Sequence, residues 1–368
     1  MDFTFDGDQE MVRDSLSRFL AKHYTFGLRK AVVGSAQGWS SEVWAELHKL
    51  GVVAMALPSD AGGLGGRASD VVAVGEVFGE HLLVEPYLAT AVFAGRALAA
   101  APQSALAAEW LRRICEDGKL VSLAHEERHG IGADLDGVRT TVSTENGCDR
   151  LSGEKVLVIA ADAADALVVT ARIHTGGHAL VLVEREAEGL EVSSYRTVDG
   201  RTAANCRFDH VALQPGAILV AEAGGEIGRV INWAILALAA EAVGAMQALF
   251  EMTASFAKTR KQFGQPIAGF QVIAHRLADM KLAWVKARST LLFTAALIDS
   301  GAATSRDHSI LKAQTGSLGR AVGEAAVQIH GGVGMTDELA VGHYFKRLLA
   351  IDAMFGNADY HMQRVGAC

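Results

Sequence analysis

The sequence predicts a mainly α-helical protein with a β insert, because its hydrophobic periodicity changes twice along the chain. Apolar residues recur at helical spacing from Asp8 to about Cys115. Short alternating runs typical of strands begin at about Lys119, and the helical period returns from Ile227. We therefore expect an N-terminal helical domain over residues 1–118, a middle β domain or barrel over 119–222, and a C-terminal helical bundle over 223–368.

The N-terminal third is predicted to consist of several helices. The first of them is indicated by apolar residues at helical spacing, namely Met11, Val12, Leu16, Phe19 and Leu20. A loop over 58–66 contains Gly62, Gly63, Gly65 and Gly66, which prevent a helix from continuing before the next one at about 71–78. We interpret this loop as a turn between helices.

The middle third contains six short runs rich in β-branched and apolar residues, which predict strands. They are Leu120–Leu123, Val138–Thr144, Lys155–Ile159, Ala166–Ala171, Ala179–Val183 and Leu190–Tyr195. Turn signals separate some of them, such as Asn146-Gly147 and Gly176-Gly177. The last third returns to long helices, which we predict at Ile231–Thr259, Phe270–Ser300 and Ser305–Ile329. Helices of this length form a bundle when their apolar faces pack against one another.

Composition excludes several classes of protein. The 368 residues are 50% hydrophobic and 21% charged, which is typical of a globular chain large enough to be an enzyme. A net charge of −8 argues against a general nucleic-acid surface, because phosphate binding requires clustered Lys and Arg. The four cysteines, Cys115, Cys148, Cys206 and Cys368, are scattered along the chain without a CxxC pair. We therefore expect neither a metal site nor a disulfide framework.

The scattered cysteines are expected in a reducing cytoplasm, and neither the N-terminal residues nor the longest apolar segment indicates a secretion signal or a membrane span. Acidic residues stand where a secretion signal would be basic and then apolar, at Asp2, Asp6, Asp8 and Glu10. The most apolar stretch, 231–246, is interrupted by Glu241 and is interpreted as a buried helix rather than a membrane span.

Two segments carry the most specific motifs. The first runs from Arg260 through Phe263 and Gly264 to Gln271, and it predicts a helix end, a tight turn and a new helix that begins near an aromatic residue. The second runs over 328–335, where glycines end a long helix and allow backbone N–H groups to approach a phosphate or sugar. Either segment alone is explained equally well by helix packing or capping.

Together and in this order, the two segments resemble the RxxFG and QxxGGxG motifs of the acyl-CoA dehydrogenase family. The resemblance covers essentially the whole chain and implies N-terminal helices, a middle β-barrel and a C-terminal four-helix bundle. It implies that the ADP portion of FAD is bound across a subunit interface by Arg260, Phe263, Gln271, Gln328, Ile329, Gly331 and Gly332. An Arg fork suits a pyrophosphate, and Gln suits a ribose or adenine.

Within the family, the runs 240–246 and 334–356 are similar to short subunits such as the small subunit of pimeloyl-CoA dehydrogenase. Such subunits pair with a different, larger subunit. The family reaction removes a proton from the α carbon of an acyl-CoA while a hydride leaves the β carbon for the flavin, which requires a carboxylate base.

The positions where family members carry this base have no carboxylate here. The C-terminal position falls on Asn357 or Tyr360, depending on a short gap. The alternative Glu-Arg pair on the first long C-terminal helix corresponds to Ala234 and Ile235, so the Arg that would hold CoA is also replaced. Glu241 lies about two turns further along the same helix face, where desolvation would raise its pKa toward that of a base. The alternative is a structural Glu241 paired with a basic neighbour.

The β domain departs from the family pattern as well. Family members place hydroxyl and indole donors against the flavin ring, whereas this chain has aliphatic Leu157 and Ile159. His125 and His129 replace other family residues nearby, and we expect them to face solvent rather than bind a metal.

These features predict an acyl-CoA dehydrogenase-type subunit that is catalytic within a hetero-oligomer. We expect a larger partner subunit in a heterotetramer to supply the flavin-ring contacts, and electron-transfer flavoprotein to accept the electrons. One alternative is a self-sufficient homo-oligomer that uses Glu241 as base. Another is a noncatalytic structural subunit of the same fold.

Overall fold

The computed structural model describes residues 4–128, 132, 135–145, 147–174 and 176–367. The predictions that concern Asp2, His129, Asn146 and Cys368 lie outside these residues. The order of elements is helices, then strands, then helices, which confirms the predicted mainly α fold with a β insert.

Seven helices precede the sheet in the described part of the chain, followed by eight strands of one sheet and then five further helices. The first seven helices are α1 (Gly7–His23), α2 (Phe26–Gly34), α3 (Ser41–Lys49), α4 (Val52–Met55), α5 (Ala68–His81), α6 (Gly95–Ala99) and α7 (Ala105–Asp117). A π-helical segment, Leu88–Ala94, leads into α6. The sheet strands are β1 (Val121–Ala124), β2 (Thr141–Glu145), β3 (Cys148–Ile159), β4 (Ala166–Ile173), β5 (His178–Glu184), β6 (Leu190–Arg196), β7 (Thr202–Ala212) and β8 (Ile218–Val220). The C-terminal elements are α8 (Gly224–Thr259), the two-residue strands β9 (Lys261–Gln262) and β10 (Gln265–Pro266), α9 (Gln271–Asp299), α10 (Ser305–His330), α11 (Ala340–Ala353) and α12 (Ala358–Gly366).

Contacts divide the chain into two compact units. The bundle unit consists of Met1–Ala31, Ala68–Leu83 and Ile235–Cys368, and the sheet unit consists of Val32–Arg67 and Val84–Ala234. The predicted boundaries at residues 118 and 222 coincide with the changes in secondary structure. The division into three domains remains a prediction.

Glycines allow α5 and α8 to cross closely in the bundle unit. A Cβ on Gly79 would overlap the backbone of Glu241, and a Cβ on Gly244 would overlap the backbone of Glu76. Helix backbones approach this closely only where side chains are absent. This crossing fixes the position of Glu241 in the interior of the bundle unit.

The sheet unit is built on a mixed sheet with the strand order β6-β7-β3-β2-β4-β5-β8, and β1 also pairs with β4. Its core is apolar and includes Leu151, Leu167, Val181 and Phe208. The six predicted strands correspond to β1–β6, whereas β7 and β8 were not predicted. β7 combines small and polar residues, TAANCRFDHVA, so the sequence lacks the β-branched run that indicates a strand.

One helix of the described chain, α8, is long and apolar enough to cross a membrane by length and composition. However, 78% of its most apolar window is buried inside the protein. A helix apolar on all sides is expected in the core of a large protein.

Candidate functional site

An aromatic stack brings the two motif segments to the same end of the bundle unit. Phe256, in the last turns of α8, stacks on His330 at the end of α10 with ring centroids 4.3 Å apart and an interplanar angle of 25°. His330 Nδ1 lies 2.9 Å from the Ala326 carbonyl oxygen, which orients the ring. Because Arg260 follows Phe256 closely and Gly331 follows His330 directly, the segments predicted to bind the ADP portion of FAD are neighbours.

A short hairpin presents the first motif to solvent. β9 pairs with β10 in antiparallel register, and Ile267 N–H donates to the Arg260 carbonyl over 2.8 Å. The turn requires a left-handed backbone at Phe263, with φ 52°, and at Gly264, with φ 82°. The Phe263 side chain is 93% exposed and contacts only the edge of Phe270 among the described aromatic rings, with centroids 6.1 Å apart. An aromatic side chain held in this way is available to a second molecule.

The polar side chains of the predicted cofactor surface are all exposed. Arg260, Gln271 and Gln328 have no side-chain hydrogen bond or ion pair with any described residue. An unpaired guanidinium and two free amides can bind a pyrophosphate and a ribose or adenine without first breaking internal contacts.

The glycine segment after α10 is open to a ligand at two positions. Gly331 has φ 64° and ψ −145°, a conformation that is essentially restricted to glycine. A Cβ on Gly331 or Gly332 would meet no described atom within 4 Å. Ile329 differs, because it is only 6% exposed and packs into the bundle unit. The prediction that Ile329 binds the cofactor is therefore not supported for its side chain.

Glu241 is part of a buried ion pair. Arg347 of α11 donates from Nε and from Nη2 to the two carboxylate oxygens of Glu241, each over 2.7 Å. The side chains of Arg347 and Glu241 are 3% and 2% exposed, respectively. A carboxylate with both oxygens bound to a guanidinium and no solvent access is poorly placed to accept a proton from a substrate. This geometry supports the structural alternative for Glu241.

Asn357 and Tyr360, the two positions near the C terminus where the resemblance implies a catalytic base, both take part in hydrogen bonds within the chain. The Asn357 side chain accepts a hydrogen bond from the Tyr360 N–H over 2.9 Å and so begins α12. The Tyr360 hydroxyl accepts from Arg364 over 2.9 Å. Lys312, which is 1% exposed, donates to the carbonyls of Asp352 and Gly356, each over 2.7 Å. The segment is thus held by internal hydrogen bonds and offers no carboxylate at Asn357 or Tyr360.

In the sheet unit, the strand expected to face a flavin ring is aliphatic. Leu157 and Ile159 of β3 are half-buried, and Val158 between them is buried. Leu157 has a left-handed backbone, with φ 51°, at an irregularity in the pairing of β3 with β7. Neither side chain can donate a hydrogen bond to an isoalloxazine ring.

The expectation that His125 faces solvent is wrong. His125 is 5% exposed, with Nδ1 3.1 Å from the Thr170 hydroxyl and Nε2 2.9 Å from the Gly132 carbonyl oxygen. Nε2 therefore donates to Gly132, and Nδ1 accepts from Thr170. Burial and the nearby Lys155 ammonium lower the pKa of His125 to about 4, so the ring is neutral near pH 7. The expectation weighed His125 only against metal binding, and it did not consider a buried ring hydrogen-bonded to Thr170 of β4.

A buried ion pair adjacent to His125 was also missed. Lys155 is fully buried and donates to Glu127 over 2.8 Å, to the His125 carbonyl and to Thr170. Burial lowers the pKa of Lys155 to about 8, although Glu127 opposes this shift. Burial alone would raise the pKa of Glu127, but Lys155 and two backbone N–H groups lower it overall. A charged residue at an otherwise inward position of a strand is the sequence signal that would have indicated such a pair.

Comparison with known proteins decides the family. A family model described as the acyl-CoA dehydrogenase C-terminal domain matches residues 227–367. A second, described as the acyl-CoA dehydrogenase N-terminal domain, matches residues 6–119. The chain belongs to the acyl-CoA dehydrogenase family. The predicted family, fold and enzyme class, an oxidoreductase acting on acyl-CoA, are thereby confirmed.

Relatives and solved structures align along nearly the whole chain. Acyl-CoA dehydrogenase FadE27 of Mycobacterium tuberculosis is 28% identical over 342 residues, which cover 90% of this chain and 88% of the relative. The structure of the Tcur3481-Tcur3483 steroid ACAD is 27% identical with a TM-score of 0.85, covering 98% of this chain and 97% of that one. The ChsE4-ChsE5 complex of Mycobacterium tuberculosis has the same fold, with a TM-score of 0.90 at 24% identity over 100% of this chain and 98% of that one.

Proposed function

We propose that this chain is one subunit of a hetero-oligomeric, FAD-dependent acyl-CoA dehydrogenase in which a larger partner subunit completes the active site. The observation that carries the proposal is a mismatch within the chain. The end of the bundle unit presents exposed, unpaired groups suited to the ADP portion of FAD, whereas the positions expected to serve the flavin ring and the proton transfer are aliphatic, capped or ion-paired.

Each group at the bundle end has a definite role in this proposal. Arg260 binds the pyrophosphate, Gln271 and Gln328 bind the ribose or adenine, and the backbone N–H groups at Gly331 and Gly332 approach the phosphates. When bound, FAD supplies the hydride acceptor for α,β-dehydrogenation of an acyl-CoA thioester. This chain positions the cofactor for the partner and contributes no proton acceptor.

An exposed apolar face on α9 supports association with another subunit. Leu282, Val285 and Phe293 are between 43% and 56% exposed and lie on the side of α9 away from its buried residues. Exposed apolar side chains of this kind, together with the exposed Phe263, are typical of a protein–protein contact.

The similar structures support a hetero-oligomer in particular. Two of them are described by pairs of names, as the ChsE4-ChsE5 complex and as the Tcur3481-Tcur3483 steroid ACAD. We extend this arrangement to the present chain, as a heterotetramer in the cytoplasm that oxidises a fatty or steroid side chain and passes electrons to electron-transfer flavoprotein.

A noncatalytic structural subunit is the second candidate, and the aliphatic pair Leu157 and Ile159 favours it.

The two candidates differ in the result they predict for a reconstitution experiment. The chain is combined with the acyl-CoA dehydrogenase subunit that copurifies with the tagged chain from its native cells. We expect acyl-CoA oxidation only when both subunits are present, and its loss when Arg260 is replaced. Equal turnover with wild-type chain and the Arg260→Gln variant would show that the chain is merely structural, and full turnover by the chain alone would contradict the proposed pairing.

A further inference from the structure

The glycine segment, Gly331–Met335, is a short 3₁₀ turn between α10 and α11. Thr336 closes it, because its backbone N–H donates to the Val333 carbonyl over 3.2 Å and its hydroxyl donates to the same oxygen over 2.9 Å. A turn this short forms few hydrogen bonds of its own, so its place in the bundle unit depends on contacts at its two ends. The Phe256–His330 stack holds the first end.

Lys30 of α2 holds the second end. Its ammonium donates to the backbone carbonyl of Asp337 over 2.9 Å and lies 3.0 Å from the Oδ2 atom of the same residue. The Lys30 ammonium also lowers the pKa of Asp337, so the carboxylate stays charged. The two side chains are 38% and 67% exposed, and an isolated pair of this kind stabilises a protein only slightly. The effect of the pair therefore depends on what else holds Asp337.

His343 of α11 contacts the other oxygen of this carboxylate. Its Nε2 lies 2.8 Å from Asp337 Oδ1, and its Nδ1 lies 3.1 Å from Nη1 of Arg29. Because a guanidinium can only donate, Nδ1 accepts, and the ring proton is on Nε2 beside the carboxylate. Burial and the Arg29 charge lower the pKa of His343, which keeps the ring neutral near pH 7 and preserves this tautomer.

The His343 ring is itself fixed from the interior of the bundle unit. Arg29 is 2% exposed, and its Nε donates to the Leu82 carbonyl over 2.9 Å. Phe26, about one turn earlier in α2, packs edge-on against the ring, with centroids 5.0 Å apart and an interplanar angle of 78°. Asp337 is therefore held on one side by an imidazole that cannot move freely, although Asp337 itself lies at the surface.

We propose that Asp337 is a positioning residue for the cofactor, which fixes the glycine segment in the place where its backbone N–H groups bind the phosphates of the ADP portion. This inference rests on the proposed function and adds to it, because Asp337 acts through the segment and not on the ligand. The direction of a backbone N–H depends on what holds the chain around it. A segment that is fixed before the ligand binds loses less conformational entropy on binding.

Hydrogen exchange of the isolated chain measures the anchoring without any cofactor. We expect the backbone amides of residues 331–337 to exchange about three- to fivefold faster in Asp337→Asn than in wild type. Lys30→Gln should act in the same direction, because it removes the same contacts from the side of α2. Asp337→Glu keeps the charge and should restore most of the protection. Asp14→Asn is the matched control, since Asp14 is an exposed aspartate on α1 without an ion pair to any described residue.

Release of FAD from the reconstituted complex measures the consequence for the cofactor. Asp337→Asn and Lys30→Gln should each release FAD about three- to fivefold faster than wild type, whereas Asp337→Glu and Asp14→Asn should release it at nearly the wild-type rate. Unfolding curves of the four variants should coincide with that of wild type. A residue that only supports the fold would instead lower the midpoint of unfolding.

Two outcomes would overturn the inference. One is equal exchange of residues 331–337 in Asp337→Asn and wild type, which would show that Asp337 does not fix the segment. The other is faster exchange with unchanged FAD release, which would show that the position of the segment does not affect the cofactor.

Failure of the proposed function gives a different result. If the chain alone binds one FAD and Asp337→Asn releases it faster, the proposed pairing fails and the role of Asp337 stands. If turnover requires both subunits and Arg260, but wild type and Asp337→Asn release FAD equally, the proposed function stands and the role of Asp337 fails.

Discussion

The end of the bundle unit and the β3 strand of the sheet unit differ sharply in the side-chain groups that they offer to the proposed FAD site. The bundle end has an exposed Arg260, two free amides and open glycines, all unoccupied by internal contacts. On β3, Leu157 and Ile159 leave no side-chain donor where the family has hydroxyl and indole groups. We propose that the predicted ADP-binding surface has been retained in this chain without the predicted flavin-ring surface, as expected of a subunit that shares its site with a partner.

The largest expected effect concerns the Glu241–Arg347 pair. Glu241→Gln leaves a buried guanidinium without its counter-charge, so we expect a loss of about 3–5 kcal/mol in the free energy of unfolding. The double variant Glu241→Leu with Arg347→Met should lose less than Glu241→Gln alone, because both charges are removed together. Urea unfolding of the three proteins measures this. If Glu241→Gln instead kept its stability and abolished turnover, Glu241 would be a base and the bundle unit would supply chemistry.

The second prediction addresses the cofactor surface directly. Arg260→Gln should weaken FAD retention by the reconstituted complex by about 10–100-fold, as expected for loss of a charge-assisted hydrogen bond of about 1.5–3 kcal/mol. Arg306→Gln is the control, because Arg306 is an exposed arginine at the opposite end of α10 from His330. Flavin release by dialysis measures the difference. Equal release from both variants would remove Arg260 from the cofactor site.

A smaller effect is expected from Glu80 in the bundle unit. Burial raises the pKa of Glu80 to about 7, against the opposing effect of Arg13. A carboxyl group whose pKa is raised on folding favours the folded state most below its unfolded pKa of about 4.5, and this contribution is lost as the pH rises through about 7. Glu80→Gln should thus gain about 1–2 kcal/mol relative to wild type between pH 5 and pH 8. Free energies of unfolding measured for wild type and Glu80→Gln should diverge across this pH range. A constant difference between them would contradict the raised pKa of Glu80.

The smallest effect tests the other side of the comparison. Leu157→Trp with Ile159→Thr restores an indole N–H and a hydroxyl, so FAD affinity of the isolated chain should rise by about tenfold, since each of the two net hydrogen bonds contributes about 0.7 kcal/mol. The matched control is Leu157→Phe with Ile159→Val, which changes volume without adding donors. Fluorescence titration with FAD separates the two pairs. Identical FAD affinities of the two double variants would show that the absence of side-chain donors on β3 does not limit FAD binding.

Much of this architecture could be predicted from periodicity. The long helices α8, α9 and α10 and the strands β1–β6 were all indicated, because their apolar residues recur at regular spacing. The strand β7 was not, since its pattern of small and polar residues has weak β propensity and its place depends on pairing with β3 and β6.

The site was predicted less completely than the fold. Motif order indicated that Arg260 and Gly331 act together, but the Phe256–His330 stack that joins their segments is a contact between residues distant in sequence. In the same way, the sequence placed Glu241 in an apolar helix and could not show that Arg347 reaches it. The inward position of His125 also depends on Thr170, a partner on another strand.

The central claim is that the chain holds one half of an FAD site, and the FAD-to-chain ratio tests it most directly. The ratio is measured from the absorbance of released flavin against protein concentration, first for the purified chain alone and then for the complex with its partner. We predict a ratio near zero for the chain alone and near one per heterodimer in the complex. A ratio near one for the chain alone would contradict the claim, because each chain would then build a complete site.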